Sequence, residues 1–242
     1  MTNIVLDTNI WIYLTKDTFN ELWIKIKEMK ETGVIKIIVN DIIQKEWYRN
    51  KTNTIETLTT SILSEYKSAI NLSHYLEAEA KELYLKTILE YKNEPDRIQK
   101  ATLKVEEIES FMNSCTIIQT TQAQKLFIAE LAIEKKPPFH NNKNNFNDAL
   151  IIRNICEATK SESPQLFDLI YVSNNPVDFI DKSTNQVYVD LIEGLKPIKF
   201  ENVTQLGQAL NLAPELIDDF EAWLDQELDN QAMYELDIRR GK

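Results

Sequence analysis

Asn3-Ile-Val-Leu-Asp-Thr-Asn9 is the stretch on which the fold turns. It is a short apolar run stopped at once by an acid. A strand half exposed to water would alternate polar and apolar residues. A continuous apolar run instead marks a strand covered on both faces, as in a parallel sheet. Residues 18–32 then read as a helix, with Phe19, Leu22, Trp23, Ile26 and Met29 on one face and Gly33 closing it. Ile35 to Val39 is a second β-branched run, hence a second strand. Asn40 or Asp41 caps the next helix, which carries Glu46. Strand, helix, strand, helix is an α/β order.

Further out, residues 53–114 keep helical spacing in three sets, among them Ile55, Leu58 and Ile62, then Leu76, Ala80 and Leu83, then Ala101, Val105 and Ile108. They predict two or three long amphipathic helices, with Pro95 separating the second from the third. Another helix is expected over 121–135. Lys135 to Phe146 is a polar, basic loop. A helix opens at Asn147-Asp148 and runs to about residue 160. Leu169 to Ser173 is a third strand, followed by the turn Asn174-Asn175-Pro176. Gln186 to Asp190 and Ile198 to Phe200 are expected edge strands. A final helix from Pro214 shows Leu216, Ile217, Phe220, Trp223 and Leu224 on one side. The whole predicts a three-layer α/β/α domain over 1–205 with a central, mostly parallel sheet and a helical insertion at about 53–114. An acidic helical extension covers 206–242.

The chain has 242 residues, 27 basic and 38 acidic, for a net charge of −11. Nine acids and three bases fall between Ala213 and Lys242, so over half of that charge sits in the tail. Such a balance excludes a protein that coats nucleic acid through bulk charge. Four glycines and no phosphate loop exclude nucleotide cradling. No serine elbow or Cys-His signature is present. Two cysteines, Cys115 and Cys156, both in helical surroundings, fit small core residues in a reducing compartment. With no secretory pattern and no apolar run near membrane length, the expectation is a soluble cytoplasmic protein with no membrane partner.

The chemistry lies at element ends. Two of the three clearest strands end in polar residues, Asp7-Thr8-Asn9 and Ser173-Asn174-Asn175. In parallel sheets the carboxyl edge is where function gathers. An acid there is costly to desolvate unless something compensates. A hard divalent cation, Mg²⁺ or Mn²⁺, does so and prefers carboxylate oxygens. Such an ion lowers the pKa of a bound water and shields charge developing on a phosphate. The bland alternatives are that Asp7 begins a turn, Glu46 is a solvated helix acid and Asp148 stabilises a helix start.

Ile4-Val-Leu-Asp-Thr-Asn9 resembles the opening strand of the PIN-domain nucleases. Glu46, within Gln44-Lys-Glu-Trp47, falls where that family places its helical glutamate. Phe146-Asn-Asp-Ala-Leu-Ile151 is similar to its third acidic motif, and Ser173-Asn-Asn-Pro-Val-Asp-Phe179 to its fourth. Lys136-Pro-Pro-Phe139 is further similar to a bacterial PIN-like subfamily. The likeness covers about 1–50 and 120–200, and neither the helices of 53–114 nor the tail. It implies a PIN-like fold and a metal-dependent endonuclease, with RNA favoured over DNA. Asp7, Glu46 and Asp148 are then the catalytic and metal carboxylates, directly or through water. Asp178 is either a further metal ligand or a turn residue. Thr8, Asn9, Ser173 and Asn175 support the site, although Asn175 stands where many members have aspartate. Lys135, Lys136, His140 and Lys143 hold the nucleic acid. Bacterial relatives of this kind serve as toxins or in phage defence. The alternative is a catalytically weak module binding RNA or a protein partner. The long helices or the C-terminal helix would carry that partner or a second copy of the chain.

Overall fold

The computed structural model describes residues 2–141, 145–159, 169–175, 179–181, 183–184, 186–195 and 200–213. Five parallel strands form the central sheet: β1 (Thr2–Leu6), β2 (Ile35–Asn40), β3 (Thr116–Ile118), β4 (Leu169–Val172) and β7 (Phe200–Val203). Their order across the sheet is β3-β2-β1-β4-β7. Ile4, Val5 and Leu6 are wholly buried, and so are all four residues of β4. The unbroken apolar runs are therefore what a doubly covered sheet requires. A separate antiparallel ribbon joins β5 (Ile180–Asp181) to β6 (Gln186–Val187).

Among the described residues the α-helices are α1 (Thr8–Tyr13), α2 (Asn20–Glu31), α3 (Asp41–Leu72), α4 (Ala78–Ile88), α5 (Glu94–Asn113), α6 (Gln122–Ile133) and α7 (Phe146–Thr159) between the strands, and α8 (Leu206–Leu212) after the last of them. By the right-handed rule for parallel crossovers, the connections from β1 to β2 to β3 put their helices on one face. The return from β3 to β4 puts α6 and α7 on the other. This is the three-layer α/β/α arrangement the sequence predicts. Trp11 of α1, Trp23 of α2 and Phe111 of α5 share one aromatic cluster. All three described tryptophans are buried, and each indole N–H has an acceptor: Leu6 O, Glu107 and Glu109 for Trp11, Trp23 and Trp47. Burial of each such ring stabilises the fold by roughly 1.5–3 kcal/mol.

Several boundaries differ from the sequence reading, each for a local reason. α2 closes as expected on Gly33, whose φ of 73° suits a residue without a Cβ. The short α1 was not expected, since Ile10 and Ile12 are poor helix formers. Capping by Asp7 and burial of Ile10 and Trp11 stabilise it. β3 also escapes the pattern, being one exposed and two half-buried residues at the sheet edge. α3 runs unbroken from 41 to 72, so the helical segment expected from 53 grows out of the helix that carries Glu46. Gln186 to Asp190 is not an edge strand of the main sheet. Only Gln186 and Val187 pair, in the separate ribbon, and a 3-10 turn follows. Of the 198–200 run, only Phe200 lies within the described residues, where it opens β7. α8 buries Leu206, Ala209 and Leu210 against β4, β7 and α2. The acidic tail, 214–242, lies outside the described residues. Among the described residues, no helix is long and apolar enough to cross a membrane.

Candidate metal and nuclease site

The sheet turns back on itself between β1 and β4: strands wind outward on one side through β2 and β3, on the other through β7. Helices leave opposite faces at this seam, which opens a crevice at the carboxyl edge. Asp7 ends β1 and Ser173 ends β4, so the two meet there. Ser173 Oγ donates to Asp7 Oδ2 at 3.0 Å and accepts from the Asn175 N–H at 3.2 Å. The Thr8 N–H donates to Asp7 Oδ1 at 2.7 Å. Both carboxylate oxygens of Asp7 are thereby oriented while Asp7 also caps α1.

Thr8 joins the second acid to the first. Its hydroxyl donates to Glu46 Oε2 at 2.8 Å, across 38 residues of sequence. The Asn147 amide, in the first turn of α7, donates to Glu46 Oε1 at 2.9 Å. Arg49, one turn further along α3, brings its guanidinium to 3.7 Å from Glu46. Asp148 follows Asn147, half-buried at the positive end of α7. Burial raises the pKa of Asp7, the Ser173 and Thr8 donors oppose that rise, and the charge of Glu46 adds to it. Tyr171, fully buried in β4, is raised well above the ordinary tyrosine value by burial and then by Asp7, Asp148 and Glu46. All three acids therefore lie within electrostatic reach of one buried phenol.

Asparagines hold the helices in place, one of them, Asn40, the cap candidate of the sequence reading, and another, Asn154, not singled out there. Asn40, wholly buried at the end of β2, accepts from the Ile42 N–H and so is the cap of α3. Its amide donates to Asn154 of α7. Asn154 in turn donates to Gln119 O and to Gln124. The start of the Glu46 helix is thus tied to the Asp148 helix. The only signal available in advance was a polar residue ending an apolar strand at Asn40 and another inside the apolar run of α7.

The expected residues separate into groups. Asp7, Thr8, Glu46 and Ser173 meet in one bonded cluster, with Asn175 touching it through its backbone. Asn9 is exposed beside it, and among the described residues no hydrogen bond links its side chain to Asp7 or Glu46. Lys136 pairs with Glu134 at 2.7 Å and faces Asp190 and Glu193 as well. His140 packs edge-on against Tyr188, near Asp181. Both basic groups therefore have acids near them. Lys135 is exposed. Lys143 and Asp178 lie outside the described residues.

As donors, Asp7, Glu46 and Asp148 offer only hard oxygens, which suits Mg²⁺ or Mn²⁺. Among the described residues, no three His, Cys, Asp or Glu side chains gather into a group that could hold a metal. Mg²⁺ does not require one, because it keeps several waters and is usually held by one or two carboxylates. The donor set therefore fits a largely hydrated ion and not a closed cage. Cys156, buried and pushed up to about 12, is no ligand. The family model for the PIN domain matches residues 4–179, nearly three quarters of the chain. That match runs through 53–114, which the motif resemblance left outside. Neither the curated proteins nor the solved structures give a match.

Proposed function

The chain belongs to the PIN-domain family, whose members are in general nucleases using divalent metals, and from that premise we propose a metal-dependent endonuclease acting on RNA in preference to DNA. The observation that supports it best is the double role of Thr8, which binds Asp7 through its N–H and Glu46 through its hydroxyl. Two carboxylates from distant elements are held side by side, one of them largely buried. Such a pair is unfavourable alone and welcomes a cation.

In this reading Mg²⁺ or Mn²⁺ supplies an acidified water and shields phosphate charge. Asp7 is its principal holder, with Glu46 and Asp148 acting directly or through water. Ser173 and Thr8 keep the Asp7 oxygens from turning, and Asn147 does the same for Glu46. Asp178 completes the proposed set, and Asn9 and Asn175 orient water at the rim. A place in the bacterial subfamily marked by Lys136-Pro-Pro-Phe139, a toxin or phage-defence role and a cytoplasmic location belong to the same proposal. A second reading, a catalytically weak module that binds RNA or a protein partner, draws support from the absence of three gathered metal-binding side chains among the described residues.

Labelled RNA and DNA incubated with the full chain in Mn²⁺, Mg²⁺ or chelator separate the two. The expected result is metal-dependent cleavage of RNA, lost in chelator and in Asp148→Asn. RNA that is bound but never cut under either metal would favour the second reading.

A further inference from the structure

We propose that one face of α3 is the track along which a single-stranded RNA lies as it enters the site; this rests on the nuclease reading above. At 100° per residue, every position from 47 to 71 that points within about 60° of Glu46 falls on one face. That face carries Arg49, Asn50, Asn53, Thr57, Ser64 and Lys67, together with Thr60, Ser61, Ser68 and Asn71, and all of them are exposed. None is Asp or Glu. The two acids that α3 does carry beyond Glu46 are centred off the face, Glu56 at about 80° to one side and Glu65 at about 100° to the other, where Glu65 accepts from Ser61 at the edge of the face at 3.4 Å.

An exposed face on a chain of net charge −11 would ordinarily mix glutamates with lysines. Here it holds two cations and a row of amides and hydroxyls, the side chains that contact phosphate and sugar without reading sequence. It is continuous with the site, since Glu46 begins it and the Arg49 guanidinium lies 3.7 Å from that carboxylate. It runs about 38 Å at 1.5 Å per residue, the length of about eleven phosphates in a stacked strand. The rival path, the 135–147 loop, has its Lys136 paired with Glu134 among further acids.

Lys67 lies about 32 Å along the helix from Glu46, so its reversal leaves the carboxylates untouched. Anisotropy of fluorescent 12-mer and 4-mer RNAs is measured on the full chain in the Asp148→Asn background with Mg²⁺. Lys67→Glu should weaken the 12-mer about fivefold at low salt and flatten its salt dependence, with the 4-mer affected far less. Ser64→Lys should tighten the 12-mer by a similar factor, a gain that misfolding cannot produce. Lys125→Glu, on α6, makes the same net charge change off the track and should have no effect. Equal weakening by Lys67→Glu and Lys125→Glu, or no change from Lys67→Glu and Ser64→Lys, would overturn the track. Cleavage by the wild-type chain is scored separately. Metal-dependent cutting with track variants that bind normally defeats the track alone. Track-dependent binding with no cutting keeps the track and defeats the nuclease reading.

Discussion

The carboxyl edge of the sheet and the outer part of the helical projection, the stretch from Leu72 at the end of α3 through α4 to Leu89, are built on opposite terms. At the edge, Asp7 has a donor on each carboxylate oxygen, Glu46 has one on each of its own, and Ser173 is buried with both donor and acceptor engaged. In the projection, α4 has no buried residue. Leu72, Tyr75, Leu83 and Leu89 stand largely in solvent, Tyr75 at 88% exposure. A site that positions reacting groups must have its side chains fixed by several contacts each. A helix that only extends a surface is free of that demand. One region is therefore sensitive to the loss of a single hydroxyl, and the other is indifferent to the loss of a leucine.

The sharpest break in that comparison is Asp7→Asn. Activity should fall by more than the roughly 10–100-fold that losing an outer partner costs, while stability rises or stays level. The sign follows from the raised pKa of Asp7, whose first cause is burial. The unfolded chain ionises this group at lower pH than the folded one, so folding is penalised as pH climbs through the ordinary carboxylate value to the raised one. The melting advantage of Asp7→Asn should be present at neutral pH and disappear once the pH falls below the ordinary carboxylate value. Melting curves from pH 3 to 8 beside cleavage assays check both halves. A variant that is inactive because it is unfolded would make Asp7 a structural cap and remove it from the chemistry.

Thr8→Val is the next largest. It keeps the N–H to Asp7 and removes the hydroxyl that holds Glu46. Activity should fall about 10–100-fold, and stability by only about 1 kcal/mol, the net worth of one hydrogen bond. Titration of Mn²⁺ against rate locates the loss: the metal concentration for half-maximal rate should rise. An unchanged metal requirement would mean that Glu46 keeps its place without Thr8.

How much of this was legible in the sequence depends on how each residue signals. Asp7 and Ser173 announce themselves because a polar residue ends an apolar run, and Glu46 and Asp148 because their motifs fall in a familiar order. The parallel sheet follows from the same unbroken runs. Asn40 was legible as a cap, but its bond to Asn154, like that of Asn147 to Glu46, sends no comparable signal, since each joins elements 101 to 114 residues apart. Three residues of β3 are too few to show a period. The α3 face escaped because helical periodicity was read for apolar positions, and here the informative pattern is the missing acids. In the basic loop, the pairing of Lys136 with Glu134 and the nearness of Asp190 and Glu193 come from contacts that sequence order does not display.

The smallest expected effect tests the other side of the comparison. Leu83→Ser combined with Tyr75→Ser removes two large apolar groups from the projection. Both are exposed, so neither change opens a cavity or strands a polar group, and surface substitutions of this kind stay within about 0.5 kcal/mol. For a chain of this size that is a melting shift of about 1–2 °C. Burial of either residue by a second copy, a protein partner or the 214–242 tail would give a different result. The loss would then approach the value for burying such a side chain, about 1.5–3 kcal/mol each. Where the cover is a second copy, it would depend on protein concentration. Melting at two concentrations tenfold apart, with light scattering for mass, separates these. A drop well beyond 2 °C would show that the projection is a built interface and end the contrast with the carboxyl edge.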